Sequence, residues 1–126
     1  MADLCCQLSK ITGCSDKVFV SCTKGFEYHS GMRMSEIIQS YFPSATVAVL
    51  SGPNHAEEIA LRQPSATVIA CQNEEVANEL QNAFLNDYFR PYLTDDVIGV
   101  EIAGSLKNVI ALTSGIMFGL GFGDNS

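Results

Sequence analysis

The sequence predicts an α/β fold: a mainly parallel, helix-flanked sheet followed by one long helix that opens a second, helical domain. Three observations predict it. Up to about residue 95, short β-branched runs alternate with segments of helical period, the pattern of a sheet wound with crossover helices. The runs are nearly continuous in apolarity, as in strands covered on both faces. From about Val97 the alternation stops, and apolar sequence punctuated by glycine continues to the C-terminus.

The first strand is KVFVSC (17–22), preceded by a short segment from Ala2 to Thr12. GMRMSEIIQSYF (31–42) sets Met34, Ile37, Ile38 and Tyr41 at helical spacing and stops before Pro43, which disfavours helix in the residue preceding it. Met32 and Met34 read as helix-start and core residues. TVAVLSG (46–52) is the second strand. NHAEEIALR (54–62) offers Asn54 as a cap and puts Glu57 and Glu58 in the first turn, where carboxylates complement the helix dipole. TVIACQ (67–72) is the third strand. NEEVANELQNAFLN (73–86) joins an Asn73 cap to one face made of Val76, Leu80, Phe84 and Leu85. FRPYLT (89–94) carries Pro91 and suits a sheet edge. Thr94, Asp95 and Asp96 then form the capping region of the last helix. The domains so defined are 1–95 and 96–126, and the sequence supplies little for the last helix to bury against.

The 126 residues carry a formal charge of −7, which argues against nucleic acid or an anionic membrane as partner, since both need a basic face. Five cysteines, no CxxC and no basic, apolar leader in MADLCCQLSKITG indicate free thiols in a reducing compartment. The two histidines show no ligand spacing with those cysteines, so no metal is expected. No membrane span is expected either. The uncharged run Asn108–Gly123 falls short of the ~18 residues usually needed. Extending it would bury Lys107 and Glu101 at roughly 2.5–3.5 kcal/mol for each charge.

Three places could carry chemistry. Lys107 sits in an apolar helix with Ala103, Gly104 and Ala111 at i−4, i−3 and i+4, all small residues on its own face. Two readings stand. The lysine snorkels, its stem covering apolar surface, or it occupies a hollow where desolvation lowers its pKa and equips it for acid–base work. Lys24 and Gly25 follow the first strand, where ligands bind in open α/β sheets; an exposed turn lysine is the plain alternative. LSGPNHAEE (50–58) takes a strand through a Gly-Pro turn into a helix N-terminus, which attracts anions or is simply a capped helix. GLGFG (119–123) is not a phosphate loop, because it lacks the GxGxxG spacing and follows no strand. Gly115, Gly119 and Gly123 read as close-packing or helix-ending residues. His55 reads as a helix-start residue, and the pairs Glu57-Glu58 and Glu74-Glu75 fit dipole complementation.

Taken together and in order, TKG, LSGPNHAEE and DDVIGVEIAGSLKNVIALTSGIMFGLGFGDN resemble the NAD(P)-dependent sn-glycerol-3-phosphate dehydrogenases typical of bacteria, from about Val18 onward. The GSLKN segment with its GLGFGDN ending is the specific part. The resemblance implies a Rossmann-like sheet domain and reversible reduction of dihydroxyacetone phosphate to sn-glycerol 3-phosphate by NADH or NADPH. It implies a cytoplasmic homodimer that supplies phospholipid synthesis. Lys107 matches the catalytic lysine that protonates the carbonyl oxygen, and Lys24 matches a lysine touching both cofactor and substrate. Gly52 and Asn54 match substrate-binding positions, the latter often serine or threonine in the family. Ala56 matches a cofactor contact, and Asn108 follows the catalytic lysine to help orient substrate.

The family begins with a glycine-rich βαβ turn for the cofactor pyrophosphate and continues past GDN into a helical domain with a phosphate-gripping arginine. Against that pattern the chain is expected to be an internal segment that alone neither binds NAD(P)H tightly nor turns over. The other readings are a truncated, non-catalytic α/β module and a related lysine-dependent two-domain reductase of keto or hydroxy acids.

Overall fold

A computed structural model describes residues 1–11 and 13–123. Thr12 and the Asp124-Asn125 end of the GLGFGDN motif lie outside the described residues. In chain order the elements are α1 (Ala2–Leu8), β1 (Val18–Ser21), α2 (Met34–Tyr41), β2 (Thr46–Ser51), α3 (Ala56–Ala60), β3 (Ser65–Ala70), α4 (Glu74–Phe84), β4 (Phe89–Thr94) and α5 (Val97–Gly119).

The four strands lie side by side in sequence order, β1-β2-β3-β4. β1 pairs parallel with β2, and β3 parallel with β4. β2 and β3 run antiparallel, with Ser51 opposite Val68. The sheet is thus mainly parallel, with one reversal whose cause is local. A crossover helix must return the chain along a strand of about 20 Å. The five residues of α3 rise only about 7.5 Å, so the chain turns back beside β2. Asn54 does not cap this helix. His55 takes the N-cap position without a side-chain bond, and Asn54, one residue before it, donates its amide to the Ala66 carbonyl at 2.9 Å.

Strand alternation distributes the core between two faces. Phe19 and Val47 are register partners and pack with Cys5, Met34, Ile37, Ile38 and Phe42 beneath α1 and α2. Val20 and Ala48, the next pair along, face Cys71, Ala77, Val76 and Leu80 under α4. α2 starts where the Glu36 carboxylate reaches back to accept from the Arg33 N–H at 2.9 Å, and α4 on Asn73, whose side chain accepts from the Val76 N–H at 3.1 Å. The predicted faces overreach at their ends: Tyr41, Phe84 and Leu85 are exposed, and at the end of α2 it is Phe42 that is buried, stacked on Phe19 of β1.

β4 is an edge strand. The carbonyls of Tyr88 and Thr94 accept from β3-side N–H groups at 2.7 and 3.0 Å, so the even-numbered residues point toward β3. Pro91 and its odd-numbered neighbours point away, and the Pro91 carbonyl accepts from the Gln81 side chain at 2.9 Å.

α5 begins on Asp96, whose side chain accepts from the Gly99 N–H at 2.8 Å. Its first turns pack on β2 and β3. Glu101 is buried there and accepts from the Ser35 N–H at 2.9 Å, the Ser35 hydroxyl at 2.6 Å and the Arg33 guanidinium at 2.9 Å. Beyond that point Val109, Ile110, Leu112 and Ile116 are exposed. At 23 residues the helix is long and apolar enough to cross a membrane by length and composition. It ends at Gly119, short of the C-terminus, and nothing approaches Gly115 or Gly119 where a side chain would stand.

Candidate active site

β1 and β2 run in parallel, so their carboxyl ends emerge on the same side of the sheet. The turns that follow them carry Lys24 and Gly52, and α5 passes over both. Gly25 has φ +102°, a left-handed conformation that glycine adopts without a Cβ penalty. Its N–H donates to the Ser105 hydroxyl at 3.1 Å, and Lys24 donates from Nζ to the Gly52 carbonyl at 3.1 Å. Gly52 also requires glycine, on steric grounds: a Cβ there would meet Asn54 Oδ1 at 2.7 Å, the Ala66 carbonyl at 3.0 Å and Thr67 Cα at 3.1 Å. The Thr67 hydroxyl braces the same turn by donating to the Ser51 carbonyl at 3.1 Å.

Between these turns and α5 lies a cavity of about 300 Å³ bounded by Lys24, Ser51, Gly52, Ala103, Gly104 and Lys107. That volume suits a small ligand. Two ammonium groups line it and no carboxylate does, in a chain whose net charge is −7. Glu101, one turn back on the helix, is occupied by Arg33 and Ser35. The ion pairs among the described residues are both made by Arg33, so neither cavity lysine is neutralised by one. Such a site attracts an anion. A larger surface depression, about 640 Å³, lies at Asn86–Pro91; none of the predicted site residues lines it.

Of the residues singled out in the sequence, Lys24, Gly52 and Lys107 converge on one cavity. The expected small neighbours Ala103 and Gly104 form its wall beside Lys107. Lys107 lines the cavity yet is exposed, as in the snorkelling reading and not the enclosed one, because α5 has no cover beyond its first turns. Asn54 stands behind the Gly52 turn, bonded to Ala66. Ala56 and Asn108 are exposed and do not line the cavity. Sequence reasoning missed Ser51, Ser105 and the Arg33–Glu101–Ser35 cluster. Ser105 lies four residues after Glu101 on one helix face, but nothing in the sequence announces its partner 80 residues away.

The chain has counterparts among known proteins. The family model described as NAD-dependent glycerol-3-phosphate dehydrogenase N-terminus matches residues 1–77, and the corresponding C-terminus model matches 96–126. A Corynebacterium jeikeium protein named NAD(P)+ glycerol-3-phosphate dehydrogenase is 53% identical over 113 residues, 88% of this chain and 34% of that protein. A Clostridium botulinum protein of the same name is 44% identical over 124 residues, 98% of this chain and 37% of its own length. Among solved structures, glycerol-3-phosphate dehydrogenase from Coxiella burnetii superposes with a TM-score of 0.83 at 31% identity, covering 98% of this chain and 38% of that one. The Saccharomyces cerevisiae enzyme gives 0.84 at 32%, covering 98% and 37%. The chain thus spans about a third of the length of the curated relatives it matches.

Proposed function

The chain belongs to the NAD-dependent glycerol-3-phosphate dehydrogenase family, and from that premise we propose that its lysine-lined cavity is the reacting end of a site interconverting dihydroxyacetone phosphate and sn-glycerol 3-phosphate. One observation carries the reading: Lys24, Gly52 and Lys107 meet at a small cavity free of carboxylates. Lys107 is the general acid that delivers a proton to the carbonyl oxygen and removes it in reverse. An ammonium is suited to this, since the oxygen gains alkoxide character during reduction and is neutralised and protonated by the same group. Lys24, tethered to the Gly52 carbonyl, offsets the substrate phosphate and faces the cofactor. Asn108 and Asn54 toward substrate, and Ala56 toward the cofactor, are assigned from the family resemblance alone, since none of the three lines the cavity.

The residues present fit the nicotinamide end of NAD or NADP. At Gly104, on the cavity wall, a Cβ would stand 3.0 Å from Ser51 Oγ and 3.7 Å from Lys24 Cγ, so glycine lets α5 approach the turn after β2 closely and leaves that wall without a side chain. The cofactor, when bound, supplies hydride, while the protein supplies orientation and the proton. No GxGxxG turn occurs in the 126 residues, so pyrophosphate binding is assigned no residue of this chain. Residues 1–95 act as cofactor-binding sheet domain and 96–126 as the start of a helical substrate and dimerisation domain. Five free thiols support a reducing, cytoplasmic setting, with the product supplying phospholipid synthesis and a homodimer as the assembly.

Grafting residues 18–123 into the C. jeikeium relative, in place of its own segment, tests the reading. The graft retains turnover of dihydroxyacetone phosphate with NAD(P)H, and Lys107→Met lowers its kcat by about 10²- to 10⁴-fold, the usual contribution of a general acid. A folded graft whose Lys107→Met variant turns over normally would refute the assignment.

A further inference from the structure

We propose that Ser105 is a positioning residue: through the Gly25 N–H it sets where the Lys24 ammonium stands relative to Lys107. The inference rests on the functional reading above and adds a residue to it.

Ser105 Oγ–H donates to the Glu101 carbonyl one turn earlier, at 2.7 Å. That bond fixes the hydroxyl rotamer and leaves a lone pair to accept the Gly25 N–H at 3.1 Å. Glu101 is itself anchored by Arg33 and Ser35, so Ser105 is mounted on the best-secured part of α5. Among the hydrogen bonds of the described residues, Gly25–Ser105 is the one joining the turn after β1 to this helix. Lys24 immediately precedes Gly25, and Lys107 lies two residues beyond Ser105. The hydroxyl therefore links the two elements that carry the cavity's cations. An alanine at 105 leaves a partly buried N–H without its partner and frees the Lys24 turn, while Lys107 stays on its helix.

The test uses the C. jeikeium relative carrying residues 18–123 of this chain, nuclear magnetic resonance and two probes, inorganic phosphate and sn-glycerol 3-phosphate. Relative to wild type, Ser105→Ala speeds Gly25 amide exchange by about ten-fold. It weakens sn-glycerol 3-phosphate by about three- to ten-fold, the range one net hydrogen bond represents. The ligand-induced shift at Lys24 shrinks while that at Lys107 persists. Ser105→Thr keeps the hydroxyl and restores both exchange and affinity, which a merely structural defect would not do. Wild-type binding that is indifferent to Ser105→Ala overturns the positioning role alone, as does a loss that threonine fails to rescue. A folded wild-type graft in which neither probe shifts Lys24 or Lys107 overturns the functional reading, and the positioning role with it, whatever Gly25 exchange does.

Discussion

Lys24 donates to the Gly52 carbonyl at 3.1 Å, joining two turns that lie 28 residues apart in the chain and side by side at the ends of β1 and β2. The bond holds the ammonium at the cavity rim while two of its three N–H donors stay available to a ligand. Lys24→Met retains the stem and removes the charge. Affinity for sn-glycerol 3-phosphate falls by about ten-fold or more, as for loss of a charge-assisted bond, with little change in thermal midpoint because the side chain is exposed. Titration calorimetry beside a melting curve checks both halves, and an unchanged affinity would remove Lys24 from the site.

Gly104 separates stability from binding. Alanine raises helix propensity by about 1 kcal/mol, while its methyl must displace the Ser51 hydroxyl, which would lie 3.0 Å away. The two effects oppose each other, so Gly104→Ala shifts stability by less than about 1 kcal/mol. The same methyl sits on the cavity wall within 3.9 Å of the Lys24 stem and lowers ligand affinity by about ten-fold or more. Parallel urea unfolding and ligand titration detect the split; equal affinity would mean that the ligand does not reach this wall.

Glu101→Ala acts the other way. It strips three hydrogen bonds from a buried carboxylate site and leaves the Ser35 N–H without a partner and Arg33 with only Ser35 and Glu36. Breaking a buried ion pair costs about 3–5 kcal/mol. The lower figure applies, since Arg33 keeps Glu36 at 2.8 Å and is partly exposed. Chemical denaturation shows a loss of about 3 kcal/mol, and a loss under about 1 kcal/mol would mean the cluster is not coupled to folding.

The Glu27 carboxylate accepts from the Ser30 hydroxyl at 2.7 Å and from the Ser30 and His29 N–H groups at 2.6 and 3.0 Å. These bonds, the hydroxyl's foremost, pull its pKa down to about 2 from 4.5. A depressed carboxylate contributes stability that is fully present above its unfolded value and disappears as pH falls through its folded one. The 26–33 turn, closed by the Phe26–Arg33 bridge, therefore holds its order at pH 5 and loses it progressively between about 4.5 and 2. Amide exchange of Ser30 followed against pH reads this directly. Glu27→Gln flattens the profile, and a wild-type midpoint near 4.5 would contradict the hydrogen-bond account.

Four strands and the helices α2 to α5 were legible in the sequence, α3 with too great a length, because burial imposes periodicity, and periodicity is local. Asn73 capped as its type demands, and Pro91 fell on an edge where a missing donor costs least. The reversal between β2 and β3 was not legible, since it depends on how far α3 can carry the chain and the NHAEEIALR pattern overstated that length. At the site, Lys24, Gly52 and Lys107 were readable from strand ends, a helix face and motif resemblance. Ser105, Ser51 and the Arg33–Glu101 pair were not. Each acquires its role from a neighbour distant in sequence, and a serine on a helix face has the same local pattern whether or not a loop meets it.

The Pro91 edge limits how the sheet can grow. Midway along the outer side of β4, the proline offers no donor and its carbonyl is already taken by Gln81, so an incoming strand finds its ladder interrupted. Self-association by strand addition, and the fibrous aggregation that follows from it, is blocked on that flank. Any additional strand, from the same polypeptide or from another molecule, is directed to the opposite border at β1.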